Sequence, residues 1–105
     1  MKKPGECSNL EDIRCEIDRL DKEMVNLLGC RLGYVLAAAA FKKDEDDIPA
    51  PDRVRSMLVQ RRAWARECGL SEDFVEKLFV QITDWYIATQ IGHWRQVHMH
   101  GRAGE

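Results

Sequence analysis

From position 10 the apolar residues fall in steps of three and four: Leu10, Ile13, Ile17, Leu20, Met24 and Leu27. That spacing lines up one stripe of a helix. Continued, the stripe takes in Arg31, Tyr34 and Ala38. A helix start at Ser8 or Asn9 is expected, because Ser8-x-x-Glu11 reads as a capping box. No proline interrupts before Pro49. Gly29 and Gly33 each weaken the middle by roughly 1 kcal/mol relative to alanine. They would also let another backbone come close. The predicted first helix spans about 9–42.

Residues 43–51, acidic and then proline-broken, read as a loop, since residues before proline avoid the helical region. Pro51 suits the first position of a second helix, with Val54, Met57, Leu58, Arg61 and Ala65 on one side. Cys68-Gly69 reads as its C-terminal cap. Ser71 then caps a third helix, with Glu72 and Asp73 favourable in its first turn. Its apolar positions include Phe74, Val75, Leu78, Phe79, Ile82, Trp85, Tyr86 and Ile91, and it is expected to end near His98. No strand-like alternation occurs. The expected fold is all-α, three helices in a single domain over 1–105, with 1–7 and 99–105 as flexible tails.

A helix over 9–42 would be roughly 50 Å long. A compact globule of this size is only about 33 Å across, from its expected radius of gyration. An apolar stripe of that length therefore calls for a second chain, and an intertwined homodimer is expected. The alternative is a break at Gly29 or Gly33 and a four-helix monomer.

Composition narrows the classes. The chain has 105 residues, 45% hydrophobic and 32% charged, which is globular. Its 16 Lys and Arg are interspersed among 18 Asp and Glu, so no basic face for nucleic acid is implied. No apolar run is expected to reach the roughly 18–20 residues of a membrane span, and the start resembles no signal peptide, so no membrane role and a cytoplasmic location are expected. The cysteines at 7, 15, 30 and 68 fit no zinc spacing and read as free thiols. His98-x-His100 has no third ligand nearby, so no metal site is assigned.

The informative charges sit where apolar residues belong. Arg31 lies on the stripe, with Leu27 and Val35 rather than acids at i±4. Either its head reaches water or it binds a ligand carboxylate, which guanidinium grips through two parallel bonds. Lys42, eleven residues on, returns to within roughly 20° of the same face. Alone it reads as a solvated helix-end lysine. Arg14 lies about 25 Å from Arg31 along the helix, so both can touch one small molecule only if Arg14 comes from the other chain. Arg53 opens the second helix, where the dipole disfavours a cation. Val54 and Met57 beside it offer an apolar wall. Gln90 edges the apolar stripe of the third helix, after Tyr86 and Ile87, and an ordinary interhelical hydrogen bond is its simplest reading. The expected pocket wall is Val35, Ala38, Val54, Met57, Tyr86 and Ile87. No nucleophile elbow, phosphate loop or zinc motif is present, so any catalysis would proceed by binding and electrostatics, with no cofactor.

Taken in order, Ile13-Arg14, Ile17-Asp18, Arg31, Tyr34-Val35, Phe41-Lys42, Ile48-Pro49-Ala50-Pro51, Arg53-Val54, Met57-Leu58, Gly69-Leu70, Phe74-Val75-Glu76, Trp85-Tyr86-Ile87-Ala88 and Gln90-Ile91 resemble the helical, AroQ-class chorismate mutase family, over about residues 4–96. The nearest pattern is its salicylate-forming branch, the isochorismate pyruvate lyases of siderophore biosynthesis. The resemblance implies an all-α dimer with two sites, each lined by both chains. It would bring Arg14 of one chain to Arg31, Lys42, Arg53 and Gln90 of the other as substrate-binding residues. Arg31, Lys42 and Gln90 would be catalytic, Lys42 on a mobile loop near the breaking ether bond. Mutases of the family typically carry Glu where this chain has Val54, and tend to be acidic where it has Ala50. That difference favours isochorismate as substrate, with weak action on chorismate. Chorismate mutase is the nearer alternative, and a non-catalytic helical dimerisation module the farther one.

Overall fold

The computed structural model describes residues 1–103, with side chains described through His98. Three α-helices follow one another: α1 (Leu10–Ala38), α2 (Pro51–Glu67) and α3 (Glu72–Ala103). Short 3-10 turns occur at Pro4–Glu6, Ala39–Phe41 and Glu45–Asp47. No strand is present among the described residues. The chain divides into two compact units, Met1–Tyr34 and Val35–Glu105.

In the first unit the cap of α1 sits one residue later than the expected box. Asn9 Oδ1 accepts from the Asp12 amide at 2.9 Å, and Asp12 Oδ2 accepts from the Ser8 amide at 3.0 Å. Asn9-x-x-Asp12 overlaps Ser8-x-x-Glu11 in the sequence, and the one with the shorter acid closes the turn. Lys2 Nζ reaches Asp12 at 3.1 Å, and the Lys2 amide donates to Glu16 at 3.3 Å, tying the segment before the helix to its first two turns. Arg19 bridges Glu16 at 3.0 Å and Glu23 at 2.8 Å along the polar face. The apolar stripe is exposed: Leu10, Ile13, Ile17, Leu20, Met24 and Leu27 all lie open, and α1 contains no buried residue.

α1 is 29 residues long, with no break at Gly29 or Gly33. It ends at Ala38, earlier than expected, and tightens into the 3-10 turn Ala39–Phe41. Lys42 leaves in an extended conformation, its amide donating to Ala39 O at 3.2 Å. One expectation is corrected. The helix with its 3-10 extension, Leu10–Phe41, is long and apolar enough to cross a membrane by length and composition, with an 18-residue window at a mean hydropathy of 1.5. Between positions 24 and 41 the sole charged side chain is Arg31. Isolated polar residues disguised this richness as an ordinary amphipathic pattern.

The second unit holds the core. α2 starts at Pro51 behind Ala50, which adopts a left-handed conformation (φ 40°). A non-glycine residue there carries strain of roughly 1–2 kcal/mol. α2 ends before Gly69, which takes φ 73° and suits the reversal into α3. Ser71 Oγ accepts from the Phe74 amide at 3.2 Å and caps α3. Arg62 fixes the pairing of the two helices, reaching Asp73 at 2.9 Å, Glu76 at 3.2 Å and Glu72 at 3.6 Å. The Asp73 bond holds its guanidinium above the ordinary arginine range. Arg61, on the apolar side of α2, lies over Trp64 at 4.5 Å and Phe79 at 5.6 Å, so its charge faces ring π-systems. Met57, Ala65, Val75 and Tyr86 are buried, joined by Ala39 and Ile48 from the connecting segment. The backbone of α3 stays helical to Ala103. The side chain of His100 lies outside the described residues.

Candidate active site

The end of α1 presents a chemical problem. The last four carbonyls of a helix lack partners within it, and that of Val35 is the first of them. α3 supplies one: Gln90 Nε2 donates to Val35 O at 2.7 Å. Gln90 is 5% exposed, so this bond satisfies polar atoms that burial would otherwise penalise. The interhelical bond anticipated for Gln90 is therefore present. Among the described contacts it uses one amide N–H and leaves the side-chain carbonyl.

One turn further along α3, Trp94 repeats the arrangement. Its indole Nε1 donates to Lys42 O at 3.1 Å. Both sides of the Lys42 backbone are thus held, the N–H by Ala39 and the C=O by Trp94. The Lys42 ammonium donates to Asp47 O at 3.3 Å, resting on its own loop. The loop is folded: Asp44 Oδ1 accepts from the Asp46 amide at 3.1 Å, and the 3-10 turn Glu45–Asp47 delivers Ile48 into the core. Arg95 of α3 forms an ion pair with Glu45. Trp94, Arg95 and Glu45 were not singled out in the sequence. The i,i+4 relation of Gln90 and Trp94 could have pointed to the first. Nothing local links Arg95 to Glu45, fifty positions away.

The other anticipated residues are distributed. Arg53 is exposed in the first turn of α2, with Val54 half-buried and Met57 buried on the inner side. Tyr86 is buried on α3, its ring 5.4 Å from that of Trp85, and Ile87 is half-buried. Val35 and Ala38 are half-buried in the last turn of α1. Arg31 is half-buried, and Arg14 lies exposed in the first unit. The direct contacts thus join Gln90 to Val35 and Lys42 to α3, while Arg14 and Arg53 face solvent.

The grooves among the described residues include two in different units. One, of about 310 Å³ in the first unit, is lined by residues including Lys2, Pro4, Cys7, Ile13, Ile17 and Leu20. The other, of about 210 Å³ in the second, is lined by residues including Leu36, Ala37, Ala40, His93, Trp94 and His98. Neither contains Arg14, Arg31, Lys42 or Arg53.

Residues 13–91 match the family described as chorismate mutase type II, and the chain belongs to that family. It is 55% identical over 96 residues to the isochorismate pyruvate lyase of Pseudomonas aeruginosa, an alignment covering 91% of this chain and 95% of that protein. It is also 40% identical over 68 residues to the T-protein of Haemophilus influenzae, spanning 64% of this chain and 18% of that longer protein.

Proposed function

We propose that the protein is an isochorismate pyruvate lyase, converting isochorismate to salicylate and pyruvate, with weak chorismate mutase activity. The observation that carries this is near-full-length identity of 55% to a protein of that name; the chain also carries the set that the family resemblance implies for the site, Arg14, Arg31, Lys42, Arg53 and Gln90. Val54 and Ala50 add support. An apolar wall where mutases carry acids offers less to chorismate's ring hydroxyl.

The working unit in this reading is a homodimer in the cytoplasm, its two sites shared between chains. The exposed stripe of α1 supports it, since burying each large aliphatic side chain is worth roughly 1.5–3 kcal/mol. The length and hydropathy of Leu10–Phe41 allow a membrane instead. The acids and bases spaced along 11–23, and Arg31 within the most apolar part, favour a protein partner, because a charge inside a bilayer is costly.

Arg14 from one chain and Arg31 from the other would hold the two carboxylates of isochorismate, folding the enolpyruvyl side chain over the ring. The hydrogen at ring C2 passes to the enolpyruvyl methylene as the C–O bond breaks, giving pyruvate, and the ring becomes aromatic salicylate. The step is pericyclic and needs no general base. Lys42 would leave Asp47 O to stabilise negative charge growing on the ether oxygen. Gln90, fixed through Val35, would orient the enolpyruvyl group with its remaining polar atoms. Incubating the protein with isochorismate and following salicylate fluorescence tests the reading, with chorismate and prephenate formation as the comparison. Salicylate is expected at the greater rate. Prephenate alone would assign the mutase activity, and neither product would leave a helical dimerisation module.

A further inference from the structure

Both backbone polar groups of Lys42 are held, and the holder of its carbonyl belongs to a helix more than fifty residues away in sequence. The indole that does so is itself fixed. The Trp94 and His98 rings stack at 3.7 Å and 25°, and His98 Nδ1 lies 2.8 Å from Trp94 O. On the next residue of α3, Arg95 pairs with Glu45, three positions beyond Lys42. Two successive residues of α3 thus pin two points on the segment between α1 and α2. That segment also passes through Ala50 in the left-handed region, which an alanine adopts only at a cost. Ile48, near its far end, is buried in the core.

Building on the lyase reading, we infer that Trp94 and Arg95 are positioning residues that latch the 42–48 segment onto α3 and so aim the Lys42 ammonium at the substrate. An ammonium on four methylenes has many rotamers. Fixing the backbone from which it starts reduces the volume it samples, and a catalytic cation misplaced by about 1 Å can lose roughly a hundredfold in rate. The latch engages main chain at Trp94 and a side chain at Arg95, so neither residue needs to touch substrate.

The test compares Trp94→Phe, which keeps a ring for stacking but removes the donor, with wild type. The expected result is a fall in kcat of about tenfold, KM within about twofold and an unchanged melting temperature. In a Lys42→Ala background the same substitution should lower kcat no further, because the group it aims is gone. Arg95→Glu should lower kcat, and adding Glu45→Arg should restore it. Hydrogen–deuterium exchange gives a readout independent of turnover: the amides of Lys42, Asp47 and Ile48 should exchange at least about tenfold faster in Trp94→Phe, with α2 unchanged. Unaltered exchange and kcat in Trp94→Phe, or an equal loss with and without Lys42, would overturn the latch. A wild-type protein that leaves isochorismate untouched defeats the lyase reading instead, and the exchange result then decides the latch alone.

Discussion

α1 and α3 are both long helices, 29 and 32 residues, and both carry apolar residues at helical spacing, yet their stripes meet different ends. α3 buries Val75, Thr83, Tyr86 and Gln90 against its own chain. α1 buries nothing, and leaves a row from Leu10 to Leu27 open. Similar patterns thus give two kinds of surface, one covered within the chain and one open on α1. The candidate site residues divide in parallel. Gln90 and Lys42 are held by bonds within the second unit, whereas Arg14 sits exposed on the helix whose stripe is uncovered. In the proposed dimer, a substrate site needing both groups would be assembled by the same association that would cover α1.

The strongest way to break this contrast is a charge in the open stripe. Leu20→Asp lies in the first unit, outside the one that holds the buried core, and should abolish the proposed dimer and reduce turnover by more than a hundredfold. Sedimentation equilibrium and the salicylate assay read the two effects. Lys42→Ala should lower kcat by about 10²–10³, the usual loss for one electrostatic donor, with product binding little changed. Gln90→Ala acts on stability and chemistry together. It should lower kcat/KM, and losing the bond to Val35 O should cost about 0.5–1.5 kcal/mol in denaturant unfolding. The mildest change lies at the start of α1. Asn9→Ala should cost about 1 kcal/mol of stability.

The same cap carries a pH dependence. The Ser8 amide, then the Lys2 ammonium, hold the Asp12 carboxyl below its ordinary range, and Arg19 first, then the Lys2 amide, do the same for Glu16. A depressed folded value means that the stabilisation is fully present above about pH 4 and is lost as the pH falls below it, through the folded value. Acid titration followed by the Asp12 carboxyl signal should therefore show a later midpoint than in the unfolded chain. Lys2→Ala should move that midpoint back toward the ordinary value.

Helix boundaries were legible where a residue dictates backbone shape. Pro51, Gly69 and Ser71 mark the ends of α2 and the start of α3 because ring closure, a positive φ and a hydroxyl cap each act locally. The end of α1 was harder to read. The alanines of 37–40 suit α and 3-10 geometry equally, and the side chain that bonds the last turn, Gln90, lies 55 positions away from Val35. The cap slipped by one residue because two overlapping boxes compete on Ser8 and Asn9. Arg31, Lys42 and Gln90 stood out as polar groups at apolar or terminal positions. Their supports did not: Trp94 looked like one more aromatic on α3, and Glu45 like one acid among four. The apolar richness of 24–41 is hard to read residue by residue, because Asn26, Gly29, Arg31, Gly33 and Tyr34 interrupt the run while its average stays apolar.

The central claim, a site built from two chains, is tested most directly by mixing two inactive variants, Arg14→Ala and Arg31→Ala. Unfolded and refolded together at equal amounts, half of the dimers would be mixed. Each mixed dimer would hold one site with both lesions and one with neither. The account predicts recovery of about one quarter of wild-type salicylate formation, from preparations that are each inactive alone. No recovery, with mixed dimers shown to be present by mass, would contradict it.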